Sequence, residues 1–410
     1  MHSRFMTVDV FATFLCAATL YGALRLLPKN ADDPPPNYWK WALWGAAFAG
    51  LAAGTKYNAV VVLIAPIVAL VWVRPTRWPA MLAAAVFVAA VAFFVATPGA
   101  ITNSEKFMTD LTYELNHSRT GHGLVFEGAG SSIALHAVNL IVGVGLLATG
   151  LGFAGLIWGS ARKHAPIAVV GSFALLYLLV LSRAEIAFLR YTFPLIPCLG
   201  FGVGWLVSLV KGIPKWDRAA IAVAILAIGG LPLGDGLYAS GRIVAAMAGM
   251  DSRDAIARYF LTMPVDKPMS IGVVEDTWFY TPPFYPEANA PRFVSVEARD
   301  DAMRSLSSPR IVRHIGPNGE RSDWDIGLLE SDRPLYVVYS SFESGDLERL
   351  SRTPNLRPEI QAQVDAYVTF KKRLEADYVL QVVLSGLGTT VHDMEYVRPT
   401  LWVWKRKPIP

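Results

Sequence analysis

Hydrophobic residues along this chain fall into long, nearly uninterrupted runs over the first 236 positions and into short, patterned segments afterwards. Eight runs stand out, at 8–27, 40–55, 58–73, 79–97, 133–158, 165–182, 191–211 and 218–236. Most approach the roughly 20 residues with which a helix crosses about 30 Å of hydrocarbon. The second and third are shorter and meet at the polar break Thr55-Lys56-Tyr57-Asn58. That break leaves open either two full spans or a pair bent within the outer half of the membrane. The pattern predicts a polytopic α-helical membrane domain of about eight spans over 1–236.

Residues 237–410 read differently. Asp251–Leu261 has helical amphipathicity with an acidic start, and Val364–Asp377 repeats the helical period. Met269–Val274, Leu335–Tyr339, Tyr378–Leu384 and Thr400–Lys405 are short apolar strands. Strands alternating with helices predict a small α/β domain. No glycine-rich phosphate loop follows a strand, and Ser341-Phe-Glu-Ser-Gly lacks the Gly-x-Ser-x-Gly of a nucleophile elbow. The domain is therefore expected to be a scaffold or a substrate-side element.

Charge sharpens the division. Through Asp235 the chain has 16 Lys and Arg against 10 Asp and Glu, and the rest has 21 against 23. No basic run marks a nucleic-acid partner. Cys16 and Cys198 both lie in apolar runs, so neither a disulfide nor a cysteine metal site is expected. Met1–Asp9 carries His2, Arg4 and Asp9 where the apolar core of a cleavable signal would begin. Ten Lys and Arg fall in one set of loops, among them Arg25, Lys40, Arg74 and Arg162, and six in the other. Placing the richer set in the cytoplasm puts the amino terminus outside. Eight crossings then leave the carboxyl-terminal domain outside too.

The outer set holds the candidate chemistry. Arg4, Lys56, Lys106, Arg119, Arg183 and Arg190 are interleaved there with Asp9, Glu105, Asp110, Glu114, Glu127, Glu185 and Asp235. Ionisable groups near a span are costly unless they pair or line a wet cavity, which makes them functional candidates. The longest loop, 98–131, predicts a surface helix from Ser104 to His117, with Ser104 as its cap and Phe107, Leu111 and Leu115 on one face. Asp110, Glu114 and His117 recur on the other face at spacings four and three. With His122 in Gly121-His122-Gly123, they could hold a divalent metal ion, or simply stabilise the loop by hydrogen bonds. Asn116-His117-Ser118 is formally a glycosylation sequon.

Several segments together resemble a known family. His2-Ser-Arg-Phe-Met-Thr-Val-Asp9 opens a span as an arginine-and-aspartate motif opens a central helix in C-type-fold, polyprenyl-phosphate-sugar-dependent glycosyltransferases. Gly50-Leu-Ala-Ala-Gly-Thr-Lys56-Tyr57 resembles their small-residue helix ending in Thr-Lys. Arg190-Tyr191 before Phe193-Pro194-Leu-Ile-Pro197 resembles their late Arg-Tyr helix. Asp251–Leu261 and Val337–Leu350 look like the outer domain of bacterial members. The resemblance is to the protein mannosyltransferase and aminoarabinose transferase kind, glycosyltransferase family 39, over nearly the whole chain.

The resemblance implies inverting transfer of a sugar from a polyprenyl-phosphate donor to a hydroxyl of a lipid or protein acceptor, in a bacterial inner membrane with the outer domain in the periplasm. It implies Asp9 as a catalytic carboxylate, with Arg4 orienting it or touching phosphate. Lys56, beside Tyr57, and Arg190 become phosphate ligands, and Tyr191 and His122 contacts to sugar or acceptor. Family members carry an earlier span and a first outer loop with the principal catalytic acid, and nothing before His2 supplies one here. The chain by itself is therefore expected to be inactive in sugar transfer. A transporter or flippase of lipid-linked substrates, or a non-catalytic membrane scaffold, are the alternative readings. The absence of a repeat between halves disfavours the transporter.

Overall fold

A computed structural model describes residues 8–28, 34–121, 123–210, 212, 214–228, 237–261, 269–278, 280–284, 309–387, 395 and 397–408. The chain divides into two compact units, Met1–His122 with Ala129–Gly241, and Gly123–Gly128 with Arg242–Pro410.

The first unit is helical. It comprises α1 (Val8–Arg25), α2 (Tyr38–Thr55), a 3-10 turn (Tyr57–Leu63) running into α3 (Ile64–Val73), α4 (Trp78–Ala96), the short α5 (Gly99–Thr102), α6 (Ser104–Thr120), α7 (Ser132–Val144), α8 (Leu146–Ala161), α9 (Ala165–Leu181), a second 3-10 turn (Leu189–Thr192), α10 (Leu195–Ser208) and α11 (Lys215–Ile228). Among the described residues, α1 and α4 are long and apolar enough to cross a membrane; α7 with α8 makes a third if that bent pair is one span. Tyr57–Val73, α9 and α10 are shorter apolar helices. Exposed Phe11, Phe14, Phe87 and Leu175 line their outer faces, as expected where lipid rather than water is the solvent.

Local sequence accounts for the element ends. Asn37 caps α2 by accepting from the Lys40 amide at 3.0 Å. Pro79 and Pro166 open α4 and α9, where the missing amide costs nothing. Small residues bring helices together: a Cβ on Gly155 of α8 or Gly202 of α10 would collide with the facing backbone.

Two expectations are revised. The run 133–158 is not one straight helix but α7 and α8, bent by 117°. Gly145 between them has φ +96°, a backbone conformation open to glycine. The Thr149 hydroxyl of α8 donates to the Leu140 carbonyl of α7 at 3.2 Å, a bond across the bend. The surface helix starts at Ser104, but its cap is Asn103, which accepts from the Lys106 amide at 3.3 Å. The last run, 218–236, is described only to Ile228.

The second unit holds a five-stranded sheet in the order β2-β1-β3-β5-β4, from β1 (Met269–Val273), β2 (Pro309–Val312), β3 (Tyr336–Ser340), β4 (Tyr378–Leu384) and β5 (Leu401–Arg406). β1 runs parallel to β2 and β3, whereas β5 is antiparallel to β3 and β4. α12 (Leu237–Ala248) bridges the sequence boundary between the units, and α13 (Ser252–Leu261), α14 (Ser341–Leu350) and α15 (Pro358–Asp377) complete the α/β domain. Val337 and Tyr339 of β3, Leu347 and Leu350 of α14 and Val364 and Phe370 of α15 share one core; Phe260, Ile271 and Val338 anchor another. The six residues Gly123–Gly128 belong to this unit through Arg349, which donates to the carbonyls of Leu124 at 2.8 Å and Glu127 at 2.6 Å.

Candidate functional site

Asp9 stands in the first turn of α1, where a carboxylate complements the helix dipole, and is only 4% exposed. Lys56 terminates α2 in an extended conformation, its amide still bonded to the Ala52 carbonyl at 2.9 Å. Its Nζ donates to Asp9 Oδ1. Arg190, on the second 3-10 turn, brings its Nε within 3.7 Å of Asp9 Oδ2. Two cations thus flank one enclosed carboxylate, and both are more exposed than it is.

Aromatic rings frame the cations. The Lys56 ammonium is 3.7 Å from the centre of the Tyr191 ring, and the Arg190 guanidinium is 4.0 Å from that of Phe188. The Tyr177 hydroxyl of α9 donates to the Tyr191 carbonyl at 3.1 Å, fixing the turn from behind.

Lys56 also opens onto a cavity of about 500 Å³. Tyr57, Asn58 and Tyr191 line it with Lys56, and Glu114 and His117 of α6 face it as well. Arg119 and Arg183 add positive charge to the lining. Phe107 anchors α6, meeting Tyr57 edge-on at 6.1 Å and Phe93 at 6.3 Å. The Glu185 amide donates to the Ser118 carbonyl at 2.9 Å, tying down the end of the helix. The His117 ring lies parallel to that of Tyr113 at 5.8 Å.

Asp9, Lys56, Arg190 and Tyr191, distant in sequence, therefore assemble in one place, with Tyr57, Glu114 and His117 on the adjoining cavity. Arg4 and His122 lie outside the described residues. Asp110 does not line the cavity; it pairs with Lys106 at 3.0 Å in an exposed position. Among the described residues no group of three or more His, Cys, Asp and Glu is gathered as a metal site. Glu114 and His117 offer two donors at the cavity, and His122, the further histidine considered from the sequence, lies outside the described residues.

One face of α7 also belongs to this neighbourhood. Ser132 Oγ donates to the Leu181 carbonyl at 3.0 Å and Asn139 Nδ2 to that of Ala187 at 2.6 Å. Between them His136 is 1% exposed, and neither ring nitrogen has a hydrogen-bond partner among the described residues. Lys56 lies within electrostatic reach of it. The spacing Ser132, His136, Asn139 is a polar stripe in an apolar run, a signal in the sequence that a scan of loops alone passes over.

The second unit has a separate acidic cluster. Burial, with the charge of Asp323, pushes the Glu275 carboxyl up to about 7, although Tyr280 donates to it at 3.0 Å and Trp324 at 3.3 Å. Burial, with Glu275 nearby, pushes Glu343 up to about 8. Glu343 closes a capping box with Ser340 at the start of α14, which is why an acid sits in that core.

No protein-family model, curated protein or solved structure matches this chain.

Proposed function

We propose that this chain is a multi-pass glycosyltransferase that moves a sugar from a polyprenyl-phosphate donor to an acceptor hydroxyl, with inversion, at the outer face of the cytoplasmic membrane. The observation that carries this reading is the convergence of Lys56 and Arg190 on Asp9 beside a cavity that also holds a carboxylate, Glu114. In this reading the eight apolar runs all cross or enter the bilayer, the shorter helices as partial spans or through a locally thinned bilayer, and the carboxyl-terminal domain is periplasmic.

The donor phosphate would rest on Lys56 and Arg190, whose charge favours its departure. The acceptor oxygen bonds to the anomeric carbon as the bond from that carbon to the phosphate oxygen breaks, its electron pair staying on phosphate. With Glu114 on the cavity wall to take the hydroxyl proton, this chain would be active by itself, contrary to the expectation from its sequence. Asp9 is enclosed and engaged by both cations, so it acts as a positioning residue that aims them. Tyr191 keeps the Lys56 ammonium oriented, and Tyr57 and His117 offer contacts to sugar or acceptor. No step is assigned to a metal ion.

The test is photo-crosslinking in vesicles with a benzophenone-bearing polyprenyl phosphate. Labelling should be competed by polyprenyl-phosphate sugar and lost when Lys56→Met and Arg190→Gln are combined. Labelling that survives the double substitution overturns the reading, and so does chain-dependent movement of the lipid across the bilayer, which is the transporter's signature.

A further inference from the structure

The cavity beside Lys56 has more positive charge than one donor phosphate uses. Among the described residues its lining includes the cations Lys56, Arg119 and Arg183 and the acid Glu114. Lys56 pairs with Asp9 and, with Arg190, is assigned to the donor in the reading above. Arg119 and Arg183 form no ion pair among the described residues. The loop's own acid, Glu185, sets its carboxylate against Gly121 and does not line the cavity.

One backbone bond gathers the two arginines. The Glu185 amide donates to the Ser118 carbonyl at 2.9 Å, which holds the end of α6, with Arg119, against the loop that carries Arg183. Each arginine also follows the carboxyl end of a helix, α6 or α9, where the dipole favours a cation. That favour explains why positive charge is tolerated at each end. It does not explain why both arginines line one cavity. The rest of the wall is largely apolar: Leu111 and Leu115 come from α6, Val180 and Leu181 from α9, and Ile186 from the loop beyond. A peptide acceptor needs partners for its backbone amides and carbonyls, which these side chains do not offer. An anionic lipid satisfies both parts of the lining, its chain on the leucines and its phosphate on the guanidiniums, whose planar donors suit that group.

We propose that Arg119 and Arg183 form a second phosphate subsite, separate from Lys56 and Arg190, and that the acceptor is an anionic phospholipid held there with its headgroup hydroxyl toward Glu114. This rests on the donor reading of the Lys56 cluster given above. The transfer is unchanged in its bonds: the headgroup oxygen bonds to the anomeric carbon, the donor phosphate leaves with the electron pair, and the hydroxyl proton passes to Glu114. Donor and acceptor phosphates are bound at the same time, so neither displaces the other.

The test is photo-labelling of the full chain in phosphatidylcholine nanodiscs, with labelled peptides mapped by mass spectrometry. The probes are phosphatidylglycerol with a diazirine in one acyl chain, the matching diacylglycerol, which keeps a hydroxyl but has no phosphate, and a diazirine-bearing serine and threonine peptide. Phosphatidylglycerol should label α6 and the segment 180–186 about tenfold more than diacylglycerol, the preference expected of charge-assisted contacts to phosphate. Combining Arg119→Gln with Arg183→Gln should remove that preference while labelling by benzophenone polyprenyl phosphate is retained, which also shows that the variant is folded. Equal labelling by the two lipids overturns the inference, as does a preference that survives the double substitution. Preferential labelling of those segments by the peptide overturns it in favour of a protein acceptor. Displacement of phosphatidylglycerol by polyprenyl phosphate overturns it by showing that the arginines serve the carrier. Lys56→Met with Arg190→Gln separates the two levels: if that pair leaves polyprenyl phosphate labelling intact, the donor reading fails, whereas a failure confined to Arg119 and Arg183 leaves it standing.

Discussion

Lys56 and Arg190 engage the two different carboxylate oxygens of Asp9, one at the end of α2 and the other on the 3-10 turn before α10. A single buried carboxylate thereby fixes the spacing of two cations that belong to distant parts of the chain. Removing one member of a buried ion pair leaves its partner uncompensated and costs about 3–5 kcal/mol when enclosure is complete.

Asp9→Asn should therefore lower stability by roughly 2–4 kcal/mol, less than the full figure because Lys56 and Arg190 keep some exposure. Added polyprenyl phosphate should raise the Tm of this variant more than that of the wild type, since the anion replaces the missing charge. Thermal unfolding in detergent with and without the lipid reads both effects. A variant as stable as wild type would show that Asp9 is not the counter-ion of the pair.

The bend between α7 and α8 depends on one backbone position. Gly145→Ala places a side chain where φ is +96° and should cost about 1–3 kcal/mol. It should also disturb the face carrying His136 and Asn139. The measurable outcome is a lower Tm, whereas Gly150→Ala, with open space around its Cβ, should leave Tm nearly unchanged.

The α/β unit should respond to pH. Glu275 and Glu343 have folded-state values of about 7 and about 8, above the ordinary 4.5 that they regain on unfolding. Between those limits the folded form binds more protons than the unfolded form, so stability falls as pH rises through the window. Trp fluorescence melts of the full chain should show a second-unit transition at higher temperature near pH 5.5 than near pH 8.5, and Glu343→Gln should narrow the difference. A transition that moves upward with pH would contradict the sign.

Much of the helical framework was legible because apolar runs are long and their breaks polar. The starts of α4 and α9 fall within a residue or so of the runs' own limits. Where the chemistry of a single residue decides, the run alone misled: Gly145 breaks an apolar stretch without changing its hydropathy, and Asn103 displaces Ser104 as a cap. β2 was missed because four residues opening on proline carry no alternation to detect. In the site, Lys56, Arg190 and Asp9 could be chosen from charge near spans. Their mutual pairing could not, because it depends on how α1, α2 and the 3-10 turn meet. His136 was missed for the converse reason, being one polar group inside an apolar helix.

The most direct measurement is the affinity of the purified chain, in nanodiscs, for polyprenyl-phosphate sugar, comparing wild type with Lys56→Met and Arg190→Gln. The account predicts that each substitution weakens binding at least about tenfold, the loss expected of one charge-assisted contact to phosphate. Equal affinity in all three proteins would contradict it.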